Sequence, residues 1–429
     1  MLDKLKRIME YLRLDDEDDG EVVDIETRRK HDKRQWFLNG LCAGAFLSFI
    51  LLVSSEKIAD LWMAKKADNN NINYYQVSEK LKLLEQYVDQ VYLNPRDAEK
   101  MENGIYNGFI DGLGDKYSSY YTQEEYKDLM ESTDGEYCGI GVYVHQDKET
   151  KTITFEEPFK DGPAAKAGMK KGDVLVAINQ EPVEGKALTD IVKMLKGKKG
   201  TNVQIDVKRG NETLSLAVTL EEVTVQTVHH KMLQDDIGYL QVTKFDKVTV
   251  AQFKEAIDKL QKQGMKGIII DLRGNPGGLL TSVTEMLDRI IKEGTLVSTK
   301  DKNGKGETFK ATDKESLDLP MAVLINGGSA SASELFAGAI QDYGIGTLVG
   351  TKSYGKGVVQ NIYGLKDGSA VKLTVSKYYT PKGRNIQGTG IEPDVKVELD
   401  EALKDKKEIT VEEDNQIQSA VRVVKNKMK

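Results

Sequence analysis

Two short segments put serine hydroxyls and small residues where a helix is about to begin. The first reads Asp271-Leu272-Arg273-Gly274-Asn275-Pro276-Gly277-Gly278 and the second Asn326-Gly327-Gly328-Ser329-Ala330-Ser331-Ala332-Ser333-Glu334. Each follows a short apolar run, GIII before the first and MAVLI before the second, so both read as strand-to-helix corners. A helix N-terminus offers unpaired N–H groups and the positive end of a dipole, which suit a developing oxyanion. A serine hydroxyl there is a weak nucleophile until a base takes its proton. Ser331 or Ser333 fits a plain helix cap equally well.

A base is harder to find. Of the four histidines, His31 precedes an apolar segment, His145 falls among the middle strands, and His229 and His230 come before the corners with no strand end to place them. Lys356, in Gly355-Lys356-Gly357-Val358-Val359-Gln360, has only glycines and valines for close neighbours and therefore no countercharge. An ordinary lysine titrates near ~10.4, and bringing it to about 7 takes about 4–5 kcal/mol against the ammonium, which burial can supply. A lone lysine is more commonly a solvated surface cation, so residue type alone does not assign the role. The run from Gly350 to Lys356 imitates a phosphate-binding GxxxxGK, but Gly357 stands where Ser or Thr must hold magnesium, and a strand-like VVQNIYGL follows.

The elements that must carry these groups are spread along 429 residues, enough for about two or three domains. Apolar residues make up 39% and the net charge is −7, so cores are expected and a dedicated nucleic-acid binder is not. Two cysteines, Cys42 and Cys138, make no disulfide framework, and no Cys/His cluster has zinc-ligand spacing.

Residues 36–54 are almost wholly apolar and would span roughly 28 Å as a helix, about a bilayer core. Arg28, Arg29, Lys30, Lys33 and Arg34 lie just before it and should stay in the cytoplasm, leaving the bulk of the chain outside. The long acidic leader and the lack of a small-x-small cleavage site favour a retained single-pass anchor over a signal peptide. Residues 1–35 are then a cytoplasmic tail. Residues 55–134 form a linker and helical region in which Val77, Leu81, Leu84, Val88 and Val91 trace one helix face, a second helix runs from about Asp97 to Phe109, and GDKYSSYYTQEEYKDL reads as a loop entering a further helix. This block would serve either as a packing cap or as a docking or dimerisation element. The C-terminal segment, Val411 to Val424, is a second candidate for joining subunits.

From Tyr137 the pattern changes to strands: GIGVYV, TITF, GPAAKAGMKKGDVLVAINQ, a short helix from Ala187 to Leu195 and TNVQIDVKR. In this order the segments resemble a PDZ domain of the bacterial periplasmic-protease type, over residues 135–222. The resemblance implies a turn at Gly139, Ile140 and Gly141 that takes a terminal carboxylate. It also implies an apolar pocket made by Ile140 with Leu188, Ile191, Val192 and Leu195.

DLRGNPGG, GSASASELFAGAIQDYG, VGTKSYGKGVVQ and GIEPD closely resemble the carboxyl-terminal processing (tail-specific) proteases. That resemblance implies a multidomain α+β and α/β chain whose protease domain, residues 223–400, is of crotonase-like type, with a C-terminal segment at 401–429. It implies Ser331 as nucleophile, Lys356 as general base, Gln360 orienting the lysine, and an oxyanion hole from the backbone of Ala332 and of Gly277 or Gly278. The implied partners are proteins with exposed C-terminal tails, and neither metal nor cofactor is expected. The competing expectation is a tethered PDZ scaffold that does not cut.

Overall fold

The computed structural model describes residues 71–147, 149–312, 316–404, 406 and 409–429. The expected anchor at 36–54 and tail at 1–35 lie outside these; among the described residues no helix is long and apolar enough to cross a membrane. The described residues fall into two units that divide between Asp97 and Ala98. In the first, helix α1 (Tyr74–Val91) is capped by the Asn73 side chain, which accepts from Gln76 N, and leaves Val77, Leu84 and Val91 exposed.

The second unit opens with α2 (Ala98–Asp111), β1 (Ser119–Tyr121) and α3 (Gln123–Asp134), the last started by a reciprocal Thr122–Glu125 capping box. The expected loop at 114–129 thus contains a strand, and β1 belongs to a sheet of the catalytic body, described below. Its three residues are too few for alternation to reveal.

The PDZ module runs through β2 (Glu136–Gly139), β3 (Val142–Gln146), β4 (Ile153–Pro158), α4 (Pro163–Lys166), β5 (Val174–Ile178), β6 (Glu181–Pro182), α5 (Leu188–Met194), β7 (Asn202–Arg209), β8 (Glu212–Thr219) and β9 (Glu221–Thr224). Its sheet has the order β3-β4-β5-β7-β8, with β6 on β5, so β3 is an edge strand facing α5. Val203, Ile205 and Val207 alternate inward along β7 and join Phe155, Ile178 and Ile191 in the core.

The catalytic body follows with β10 (Val228–Met232), β11 (Ile237–Val242), α6 (Lys247–Lys262), β12 (Gly267–Asp271), α7 (Leu280–Asp288), β13 (Thr295–Asp301), β14 (Thr308–Lys310), β15 (Met321–Ile325), α8 (Ala332–Tyr343), β16 (Thr347–Gly350), β17 (Val358–Gly364), β18 (Ala370–Tyr379), β19 (Val395–Lys396) and α9 (Asn415–Met428). One sheet has the order β10-β11-β12-β15-β16-β19, parallel from β11 onward. The other runs β1-β18-β13-β14, with β17 also paired to β18.

The unbroken apolar runs of β12 and β15 reflect burial on both faces. Ile268, Ile270, Val323 and Ile325 pack with Phe253 and Phe336 beneath α6, α7 and α8. Ile269, Ala322 and Leu324 pack on the other face against Ile417, Ala420 and Val424 of α9. The C-terminal segment expected to join subunits therefore spends its apolar face inside its own chain, against the main sheet. Arg273 fastens its start, pairing with Asp414 at 2.9 Å and donating to Gln416 at 2.8 Å.

Replacing Val424, fully buried in that layer, by Asp leaves an unpaired charge against the sheet and should cost about 3 kcal/mol or more. Thermal unfolding of the purified chain checks this. If α9 instead joined subunits, the substitution would change the sedimentation behaviour and leave the melting temperature of the monomer in place.

Candidate active site

The carboxyl ends of three adjacent parallel strands lead into three loops: 272–279 after β12, 326–331 after β15 and 351–357 after β16. Side-chain amides stitch the first two together. Asn326 Oδ1 accepts from Gly274 N and Gly328 N, both at 2.9 Å. Asn275 accepts at its side chain from Gly277 N (2.9 Å) and at its carbonyl from Ala330 N (3.0 Å) and Ser333 Oγ (2.9 Å). Ser333 is thus occupied with the neighbouring loop rather than with capping. Asp271 is turned into a buried pair with Arg273 and accepts from Tyr239 Oη at 2.8 Å, so it is structural.

Ser331 sits immediately before α8 with φ 56° and ψ −114°, a conformation that costs a non-glycine residue of order 1–3 kcal/mol. It is held there by Glu334, one turn into the helix, whose Oε2 accepts from Ser331 N at 2.8 Å. The same carboxylate reaches the third loop: Oε2 accepts from Lys356 N (2.8 Å), and Oε1 from Gly355 N (2.7 Å) and Ser353 Oγ (2.6 Å). Glu334 is wholly buried, and these four donors replace the water its carboxylate gives up. Spacing could have flagged it, since it occupies the third helical position of a capping box.

The Ser331 hydroxyl faces Tyr378 of β18. Burial raises the Tyr378 phenol and a hydrogen bond with Ser331 acts the other way. Nothing local in the sequence marks Tyr378. The Lys356 side chain is half-buried, and its pKa lies below the ordinary lysine value. Burial is the main cause and the like charge of Lys372 adds to it, against the opposing pull of Asp115 and Glu334. Its Nζ rests 4.8 Å from the ring centroid of Tyr117, and no hydrogen bond joins it to Ser331 among the described residues.

Gln360 does not meet the lysine. An extended Lys356–Gln360 stretch would put both side chains on one face, but β17 begins only at Val358 and its register with β18 shifts between Val359 and Gln360. The Gln360 amide donates instead to Thr374 Oγ1 at 3.3 Å. Of the two glycines, Gly277 lies against Ser331, where an added Cβ would come within 2.8 Å of the Ser331 Cβ, and its N–H is taken by Asn275. Ala332 begins the helix and is buried.

The PDZ groove is a cavity of 460 Å³ lined by Ile140, Val142, Leu188, Val192 and Leu195, with Lys244 of the catalytic body on its far side. Ile191 is not part of it: it lies at the edge of the same helix face, about 40° round from Leu195, and is fully buried in the PDZ core. The turn itself is pinned through its carbonyls, Ile140 O accepting from Ala164 N and Gly141 O from Phe159 N. Gly141 has φ 72°, which explains a glycine there. His229 and His230 line a separate polar cavity of 850 Å³ that neither Ser331 nor Lys356 borders.

Fold and site together define a serine-type peptidase that carries a PDZ domain. The family model described as peptidase family S41 matches residues 236–397, and a PDZ domain model matches 155–209. A CtpA-like serine protease of Staphylococcus aureus is 34% identical over 380 residues, 87% of this chain and 74% of its own. A solved structure, the photosystem II D1 C-terminal processing protease, shares 29% identity at a TM-score of 0.45, covering 74% of this chain and 86% of that one. An S41 protease structure from Bacteroides fragilis is 15% identical, with a TM-score of 0.51 over 75% of this chain and 90% of its own, and shows the same fold. The chain belongs to the S41 peptidases, among the CtpA-like serine proteases.

Changing Glu334 to Gln puts an NH₂ group against two of the four donors. It should destabilise the loops by about 3–5 kcal/mol and lower kcat/KM by a hundredfold or more. A melting curve and a peptide-cleavage assay on the same preparation check both figures.

Proposed function

We propose that this protease is a single-pass membrane enzyme whose catalytic body lies outside the cytoplasm, where it cuts exported proteins with Ser331 as nucleophile and Lys356 as general base. The observation that carries the reading is the shared carboxylate: Glu334 fixes the backbone of Ser331 and of Lys356 through one side chain, next to a helix N-terminus. A depressed lysine pKa supports the role of acceptor. Lys356 removes the hydroxyl proton as Ser331 attacks the peptide carbonyl; the C–N bond then breaks with that proton passing to the leaving amine, and water, deprotonated by Lys356, hydrolyses the acyl-enzyme. Ala332 N and one glycine N–H receive the oxyanion. With the Gly277 donor engaged by Asn275, Gly278 is the better candidate. Gln360 would orient the amine only after turning away from Thr374.

The PDZ groove would take the substrate's C-terminal tail as an added strand on β3, with an apolar last side chain between Ile140 and α5. The catalytic body borders the groove through Lys244, which donates to the Ser132 carbonyl at 3.0 Å. Tail binding would press on that border, which supports a gating role for the module. A helical region with exposed Val77, Leu84 and Val91 supports a homodimer. The bulk outside the membrane follows from the basic cluster Arg28–Arg34.

Ser331→Ala and Lys356→Ala should each abolish cleavage of an unfolded casein, by a thousandfold or more, whereas the His229→Ala/His230→Ala pair should keep it. A loss of that size in the histidine pair would move the base to β10, and an unchanged Ser331→Ala would make the chain a scaffold. The ammonium is the inactive form of the base, so kcat/KM should rise with pH through the lysine's pKa. The midpoint should fall below the ~10.4 of an ordinary lysine. A pH–rate profile with a peptide free of other titrating groups reads it.

A further inference from the structure

The loop between α2 and β1, Gly114-Asp115-Lys116-Tyr117-Ser118, comes from the helical region yet reaches the catalytic body. Asp115 Oδ2 accepts from Ser118 Oγ at 2.6 Å, Asp115 Oδ1 accepts from Tyr117 N at 3.1 Å, and Ser118 Oγ accepts from Thr374 N at 3.1 Å. Thr374 is also the residue that holds the Gln360 amide. β1 then pairs antiparallel with β18, Ser119 opposite Lys372, and fixes the loop beside the 351–357 loop. The result is a half-buried aromatic ring under the Lys356 amine, 4.8 Å from Nζ to centroid. Lys116 sits 4.9 Å from the same ring and donates to Tyr354 Oη at 3.2 Å.

We propose that Tyr117 is a positioning residue for the base: its ring face is the seat on which the Lys356 ammonium rests between turnovers, with Asp115 beneath the same loop as the opposing charge. This rests on Lys356 being the proton acceptor. A cation over an aromatic face is stabilised relative to the neutral amine, more by Trp than by Tyr or Phe. The other charged groups facing Lys356 are Lys372 from β18, Lys116 from the loop and Glu334 from α8. Lys372, hydrogen-bonded to Tyr121 Oη at 2.5 Å, repels the ammonium; Asp115 and the ring attract it. The seat therefore holds the lysine in its resting, charged form, and its loss should make the base available at lower pH.

The test is the acid limb of kcat/KM against pH for the full chain in detergent, on an internally quenched peptide without groups titrating between pH 5 and 11. Tyr117→Leu should move the midpoint down by about half to one pH unit, Tyr117→Phe should restore the wild-type position, and Tyr117→Trp should move it up. Lys372→Met should also move it up, because a repelling charge is gone. A structural role alone would lower the rate at every pH and leave the midpoint in place. An unmoved midpoint in both Tyr117→Leu and Tyr117→Trp, or in Tyr117→Trp alone if the leucine variant fails to fold, overturns the proposal. Lys356→Ala, run alongside, separates the two levels: full activity there would overturn the assignment of the base, while a dead Lys356→Ala with unmoved Tyr117 variants would overturn the seat alone.

Discussion

A single buried carboxylate holds the centre together. Glu334 takes its charge out of water, and the only return is four donors drawn from three places: the strained serine, a second serine and two consecutive amides of the lysine loop. Such an arrangement is unforgiving, because each donor shifted by even an ångström leaves part of the charge unpaid. It ties the backbone of Ser331 to that of Lys356 through one side chain. The Ser331 hydroxyl turns to Tyr378 and the Lys356 amine to the ring of Tyr117.

The rest of the architecture serves to deliver three strand ends to that carboxylate. Parallel strands β12, β15 and β16 bring the loops out side by side, and burial on both faces makes the platform rigid. The second sheet supplies what the first cannot, namely Tyr378, Thr374 and Lys372 along one strand. Through β1 it also recruits a loop from far upstream. The PDZ module sits between these contributions in sequence and against the same body in space.

Much of this was legible in the residues. The alternation of strands and helices, the two corners and the failed phosphate loop follow from spacing and turn chemistry, and the PDZ module from its resemblance to a known domain. Ser331 and Lys356 stood out once the long motifs were matched, since neither a serine in a cap nor a lone lysine identifies itself. What escaped was tertiary. Ile191 belongs to the helix face that the sequence reads as pocket, but the core claims it. Gln360 takes its role from the family resemblance, and in this structure its amide lies on Thr374, beyond a register shift that spacing alone does not show. Tyr378 and Tyr117 act through partners tens to hundreds of positions away, which no local pattern encodes, and Glu334, though marked by its capping-box spacing, reaches the lysine loop some twenty positions on. The apolar stripe of α9 looked like a surface for another molecule because its partner, the underside of β12 and β15, is also apolar and lies more than eighty residues upstream.

The pairing of β1 with β18 spans some 250 positions, and α9, the last helix of the chain, forms the second wall of the main sheet. Loop closure over such a separation comes late, after local elements have formed. During synthesis, a chain emerging from its N-terminus can complete the PDZ module early. It cannot bring Tyr117 under Lys356 before β18 is made, nor cover the second face of the sheet before α9 is made. The contacts around Lys356 are therefore assembled after the module that precedes them in the chain has its full sequence to fold with.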